Sequence, residues 1–159
     1  MSAPLLIQEE SPDQPDVVRL LEARDALLGG LYPPESCHRL DLAALLQPEV
    51  TFLVARRGGV ALGCGAVVRQ GEREGEIKSM FVNEAARGTG GGRALLAAVE
   101  ERARGLGLAT LRLETGIHQQ SALGLYRSTG YREIPPFGAY RPDPLSVFME
   151  KRLNATEAG

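Results

Sequence analysis

Apolar and polar positions change period several times along the chain, and each change marks an element. The opening stretch "PLLIQEE" reads as a first strand. From Pro15 to Leu28 the period lengthens, so that Val17, Leu20, Leu21, Leu27 and Leu28 fall near one face of a helix. A loop at "GGLYPP" leads to a short helix over Leu40 to Leu46. The runs "TFLVARR" and "VALGCGAVV" read as strands joined by a hairpin turn at Gly58 and Gly59, and "GEIKSMFV" is a fourth strand. Gly90 to Leu106 predicts the next helix, with Leu95, Leu96, Val99, Ala103 and Leu106 on its apolar stripe. Glu100, Glu101, Arg102 and Arg104 are expected to face away, and Gly107 ends the helix. "TLRLET" is a fifth strand, Gln120 to Thr129 a helix stopped by Gly130, and "LSVFMEKRL" a last strand. A hairpin followed by strand-helix-strand-helix-strand predicts an α/β chain whose helices cover a mixed sheet.

Length sets the scale of that fold. At 159 residues and 43% hydrophobic, the chain has enough apolar surface for one well-buried core and too little length for two full domains. The 18 basic and 20 acidic residues are scattered, giving a formal charge of -2 and no electrostatic footprint for nucleic acid or an anionic membrane. No apolar run approaches the ~18 residues of a membrane span, and "MSAPLLIQEE" lacks the basic start and apolar core of a signal peptide, so a cytoplasmic protein with a small soluble partner is expected. Cys37 and Cys64 have no metal-like spacing and read as buried or free thiols. His38 and His118 have no acidic or cysteine neighbours at ligand spacing, so no metal site is expected. Ser79, Ser121 and Ser128 lack the glycine-flanked elbow of a hydrolase nucleophile.

The most specific local signal is "RGTGGGRALL", Arg87 to Leu96, where four glycines precede a helix-forming run. Glycine N–H groups converging at a helix amino terminus make an anion site. A dinucleotide fingerprint would need glycine at position 93, which is Arg, and an ATP-type loop would need Gly-Lys-Ser/Thr, which is absent. The spacing that fits is Arg/Gln-x-x-Gly-x-Gly/Ala, met by Arg87, Gly90 and Gly92 behind the strand end Met80, Phe81 and Val82. In this the chain resembles the GNAT superfamily of acetyl-CoA-dependent N-acetyltransferases. A second motif stands in the expected order: "QQSALGLYRSTGY" supplies Ala122, Leu125, Tyr126, Gly130 and Tyr131 of the family's segment after the fifth strand. Gln119 departs from the usual Asn while keeping an amide. The similarity runs from the first strand to about Leu153, and the ending "PPFGAYRPDPLSVFMEK" is similar to a branch of stand-alone bacterial members.

The resemblance implies a central mixed, mostly antiparallel, twisted sheet with helices on both faces, in one domain over 3–153 with a short tail at 154–159. It implies acetyl-CoA as co-substrate and no metal. The pyrophosphate would lie on Arg87, Gly88, Thr89, Gly90, Gly91, Gly92 and Arg93, and the acetyl-pantetheine arm against Met80, Phe81, Val82, Gln119 and Tyr126. Backbone N–H groups near Phe81 and Val82, in a bulged strand, would polarise the acetyl carbonyl. Tyr126 would act as general acid towards the departing thiolate. Members of the family often dimerise, so a homodimer fits this reading.

An amine acceptor has a reference pKa of about 10.4 and must lose a proton before it attacks. Glu76 matches the strand position at which some members place a glutamate base. Lys78 lies on the same face two residues later; it either neutralises Glu76 or receives a carboxylate of the acceptor, which would favour an amino acid. The expected activity is acetyl transfer to a primary amine of a small molecule or amino acid by direct attack in a ternary complex. A protein or peptide N-acetyltransferase and a non-catalytic acyl-CoA-binding regulator are the alternatives.

Overall fold

A computed structural model describes residues 3–36, 40–86 and 90–153 of the chain. Strand β1 (Leu5–Glu9) precedes helix α1 (Pro15–Leu31), a 3-10 turn at Pro34–Ser36 and the short helix α2 (Leu42–Leu45). Then come β2 (Val50–Arg57), β3 (Val60–Arg69), β4 (Glu74–Val82), a turn at Glu84–Ala86, α3 (Gly91–Gly105), β5 (Thr110–Gly116), α4 (Gln120–Ser128), β6 (Arg132–Ile134) and β7 (Ser146–Arg152). Among the described residues the strands form a seven-stranded sheet in the order β1-β2-β3-β4-β5-β7-β6. Every neighbouring pair is antiparallel except β4 and β5, whose parallel pairing uses α3 as the crossover. This is the mixed, mostly antiparallel sheet that the pattern and the resemblance predict.

Strand periodicity divides the core in two. Leu53, Ala55, Val67, Ile77, Leu111 and Leu113 point to one face, where they pack with Leu95, Leu96 and Val99 of α3 and with Leu123 and Tyr126 of α4. Phe52, Val54, Cys64 and Ala66 point to the other, against Val17 and Leu20 of α1 and Leu45 of α2. With both faces covered, the central strands carry nearly continuous apolar runs, which is why β2 and β3 are so legible in sequence. Gly58 and Gly59 have φ of +59° and +82°, the positive values that a tight hairpin turn between them demands.

The structure extends or shifts several predicted elements. α1 continues to Leu31, through Gly29 and Gly30, and its buried residues are Val17, Leu20 and Arg24, while Leu27 is exposed. α2 is confined to Leu42–Leu45 because Asp41 caps it, its Oδ1 accepting from the Ala44 N–H at 2.9 Å. Leu106 is the exposed C-cap of α3 and not part of its apolar stripe. β6 lies where no strand is predicted, since three residues running into Pro135 carry no measurable period.

Glu100 is the clearest correction. It does not face away: it is 7% exposed, and both its carboxylate oxygens accept from Lys151 Nζ at 3.1 Å while Oε2 also accepts from the Tyr131 hydroxyl at 2.8 Å. The helical period puts it there, four residues after Leu96 and three before Ala103, both buried. The charge is tolerated on the core stripe because three hydrogen bonds, two of them from an ammonium, replace its water. Removing the carboxylate strands Lys151, so Glu100→Ala should lose about 3 kcal/mol, the lower figure for breaking a buried pair. Thermal denaturation should show a fall of roughly 6–12 °C for a chain this size; a midpoint within about 2 °C of wild type would mean the pair is not stabilising.

Candidate active site

The site arises where a ladder ends. β4 and β5 pair from Glu74 opposite Thr110 to Ile77 opposite Leu113, and no further. Beyond that point β4 stays with β3 as far as Val82, and β5 stays with β7 as far as Gly116, so the two strands part and open a cleft through the sheet. The parting coincides with a bulge: Cys64 pairs with Phe81 and Ala66 with Lys78, leaving Ser79 and Met80 both opposite Gly65. Ser79 has φ of +60°, a left-handed conformation that non-glycine residues adopt rarely. The bulge thus lies at Ser79 and Met80, immediately ahead of Phe81 and Val82. Cys64 Sγ donates to the Ser79 carbonyl at 3.3 Å, and burial pushes the Cys64 thiol up to about 12. The Ser79 hydroxyl is itself buried and has no hydrogen-bond partner among the described residues.

The cleft has a volume of about 90 Å³. One wall is α4, through Gln119, Ala122 and Tyr126; the edges are Ile77–Phe81 of β4 and Leu113–Gly116 of β5; the far wall is α1, through Arg24, Leu28 and Tyr32. Tyr126 is buried, edge-on to Tyr131 at 5.5 Å between ring centroids. Burial drives its phenol above the ordinary tyrosine value, with the Arg24 charge pulling the other way, so the hydroxyl stays protonated through neutral and mildly alkaline pH. Gln119 borders the cleft, but its Oε1 accepts from the Gly116 N–H at 3.0 Å and the Thr115 hydroxyl at 3.4 Å, holding the turn from β5 into α4.

Glu76 and Lys78 sit on the opposite face from Tyr126, as their parity with Ala66 and Val68 requires. Lys78 Nζ donates to the Tyr140 hydroxyl at 2.7 Å, and that hydroxyl donates to Glu76 Oε2 at 2.5 Å. The ammonium is 3.5 Å from Oε2, and Gln70 Nε2 donates to Oε1 at 3.0 Å. Tyr140 belongs to the segment 137–143 between β6 and β7, which folds over this face with Phe137, Tyr140 and Phe148 ring to ring at 5.1 to 5.9 Å. Burial, then the bond to Glu76, raises the Tyr140 phenol above its ordinary value. Glu76 lines a wider groove of about 890 Å³ beneath that segment and does not border the cleft; Lys78 borders both.

Two charged residues on the cleft were not singled out in sequence. Glu114, two positions after Arg112 on β5, lines it and accepts from Ser146 Oγ at 2.7 Å. Arg24 reaches it from α1. Alternation along "TLRLET" puts Glu114 on the face of Glu76, and helical spacing puts Arg24 under Val17 and Leu20; both signals were available.

Beside the cleft, Gly90 is the N-cap of α3 with φ of +84°, and the first N–H groups of the helix have no intrahelical acceptor. Added Cβ atoms on Gly91 and Gly92 would stand 3.4 Å from the Ala86 carbonyl oxygen and 3.5 Å from Leu125 Cδ2, ordinary van der Waals contacts, so packing within the fold does not itself require glycine there. Arg93 Nη2 donates to Ser128 Oγ at 3.0 Å, tying α3 to the end of α4. Arg87, Gly88, Thr89, Cys37 and His38, and the tail 154–159, lie outside the described residues. His118 stacks on Tyr32 at 5.4 Å and gives its N–H to the Tyr32 hydroxyl at 3.0 Å. No helix among the described residues is long and apolar enough to cross a membrane.

A sheet split between one parallel pair, with a glycine-led helix at its mouth and a buried tyrosine on its wall, is the arrangement that the resemblance to acyltransferases implies. The sequence profile of the Acetyltransferase (GNAT) family matches residues 17–131, and the chain belongs to that family. An IAA acetyltransferase from Azospirillum brasilense is 52% identical over 148 residues, covering 92% of this chain and 97% of that protein. A crystal structure of a protein from Klebsiella pneumoniae, assigned to the acyl-CoA N-acyltransferases without a demonstrated activity in its name, superposes with a TM-score of 0.84 at 41% identity over 94% of this chain and 98% of its own. The PaiA N-acetyltransferase of Thermoplasma acidophilum, crystallised with coenzyme A, shares the fold at TM-score 0.72 and 15% identity, over 94% and 99% of the two chains.

The buried thiol behind the bulge gives a direct check on this packing. With its pKa at about 12, only ~10⁻⁴ of Cys64 is thiolate at pH 8. In a Cys37→Ser background, iodoacetamide should leave Cys64 unlabelled in the native protein and label it fully in urea. Native labelling at the rate of a free thiol would mean the bulge is open.

Proposed function

We propose that the protein transfers an acetyl group from acetyl-CoA to a primary amine of a small molecule or amino acid, by direct attack with both reactants held in the cleft. The observation that carries this reading is the opening between β4 and β5, which joins the tyrosine face of the sheet to its charged face at one point. The mouth of α3, with the backbone of Gly90, Gly91, Gly92 and Arg93, suits a pyrophosphate, and the sequence motif adds Arg87, Gly88 and Thr89 to its holders. Met80, Phe81, Val82, Gln119 and Tyr126 fit the pantetheine arm, and the orphaned Ser79 hydroxyl marks a polar position on the cleft wall. When bound, acetyl-CoA supplies the activated acyl group and a thiolate leaving group.

Within that frame Tyr126 donates its proton to the departing sulfur, for which a phenol kept neutral by burial is suited. Glu76 takes the amine's proton from the side of the wider groove, which meets the cleft at Lys78, with its Oε2 held by the Tyr140 hydroxyl. A second reading assigns the base to Glu114, because Glu114 borders the same cleft as Tyr126 and Glu76 does not. Lys78, held between Tyr140 and Glu76, neutralises the carboxylate. A protein or peptide acceptor would use the wider groove under 137–143.

A panel of amines with thiol release as readout tests the activity, and no release above the hydrolysis background with any amine would refute it. Tyr126→Phe should keep acetyl-CoA affinity and lower kcat by roughly 10²-fold, the usual loss for a general acid; a change under about threefold makes Tyr126 a packing residue. In wild type the alkaline limb of the rate profile should lie above pH ~10, the ordinary tyrosine value. Between Glu76→Gln and Glu114→Gln, the base is the one whose loss abolishes the acid limb of kcat/KM.

A further inference from the structure

Two buried side-chain atoms lack a hydrogen-bond partner among the described residues, Ser79 Oγ and Asn83 Oδ1, and of the two residues it is Ser79 that borders the cleft. Ser79 is 4% exposed, so its hydroxyl is largely out of reach of bulk water. A hydroxyl left in that state costs free energy, and the φ of +60° is a second cost on the same residue. Glycine would avoid both. The Ser79 carbonyl is held by Cys64 Sγ at 3.3 Å, so the side chain projects from a fixed backbone. Such a group calls for a partner that arrives with a ligand.

The identity of that partner rests on the reading that acetyl transfer takes place in this cleft. β4 borders the cleft from Ile77 to Phe81, and Ser79 is the middle of that run. Tyr126 lines the opening from one face of the sheet and Lys78 and Glu114 from the other, so an acyl carbon approached by both a proton donor and an amine belongs near its centre. We propose that the Ser79 hydroxyl donates a hydrogen bond to the acyl carbonyl oxygen of acetyl-CoA and stabilises the charge that collects there. As the amine nitrogen bonds to the acyl carbon, one C–O electron pair moves onto the oxygen. When that pair returns, the C–S bond breaks and the sulfur takes the Tyr126 proton. The amine's proton goes to the carboxylate base, and Ser79 keeps its own throughout. The bond is strongest when the oxygen is most negative, so it lowers the barrier more than it tightens binding.

The test compares acetyl-CoA with S-ethyl-coenzyme A, a thioether that differs only in lacking the carbonyl oxygen. Calorimetry on the whole wild-type protein should find acetyl-CoA the tighter ligand. Ser79→Ala should lower that ratio by about three- to tenfold, the range for one neutral hydrogen bond, with the affinity for S-ethyl-coenzyme A unchanged. Ser79→Gly, which suits a φ of +60°, should lose the same ratio while melting no lower than Ser79→Ala. With an amine that reacts, kcat should fall by roughly 10²-fold in both variants, the lower figure for losing one such donor. Equal affinity for the two ligands in wild type overturns the proposal, and so does a ratio or a kcat that moves less than about threefold in the variants. A loss seen in Ser79→Ala and absent from Ser79→Gly traces to the backbone and overturns it as well. Without thiol release from any amine the transfer reading falls, while the binding ratio still decides whether Ser79 holds the carbonyl.

Discussion

The parallel ladder between β4 and β5 stops at Ile77 and Leu113, and that single termination makes the rest of the site possible. Each strand continues with a partner on its other side, so parting does not unravel the sheet. Beyond the last pair the inner edges of the two strands no longer run as a ladder with each other. A longer ladder would seal the sheet, and Tyr126 would then be separated from the charged face by a continuous wall of strands. The crossover helix contributes to the same geometry, since α3 must leave the end of β4 and begin beside the opening.

The bulge decides what faces the opening. Side chains on a regular strand alternate, so Lys78 and Phe81, three residues apart, belong on opposite faces. The extra residue at Ser79 and Met80 puts both on one face, opposite Ala66 and Cys64. Gly65 lies opposite the bulge and leaves space for the Met80 side chain: a Cβ there would stand 2.5 Å from Met80 Sδ. Ser79 takes the unfavourable φ, and the Cys64 thiol holds its carbonyl in place. The arrangement concentrates strain at the one segment where backbone direction must change, a frequent companion of binding sites.

Much of this was legible in sequence because the relevant signals are periodic or punctuated. The alternating runs of β2 to β5, the glycine pair of the hairpin and the glycine-led start of α3 each carry a local physical cause. What escaped was long-range. Glu100 and Arg24 are charged letters at apolar phases of their helices, and only their distant partners or cleft neighbours explain their burial. The pairing of Glu76 with Lys78 follows from strand parity, yet Tyr140, which bridges them from 62 and 64 residues away, belongs to a segment with no period at all. Nor could the sequence reveal that Glu76 and Tyr126 border different cavities, because that depends on where the β4–β5 ladder ends.

The division of labour between the two faces has a chemical consequence. On one face a phenol is kept neutral by burial; on the other, carboxylates and a lysine are held in hydrogen-bonded sets, which on the proposed reading are the proton donor and the groups that meet the amine. The sheet carries Tyr126 and Glu76 on opposite faces, and the cleft beyond the end of the β4–β5 ladder is where Tyr126 and charged residues of the other face, Lys78 and Glu114, line one opening. On the proposed reading, orientation is imposed by the backbone, the stiffest part of the fold, and the reactants need only fill the gap from opposite sides to be brought into line.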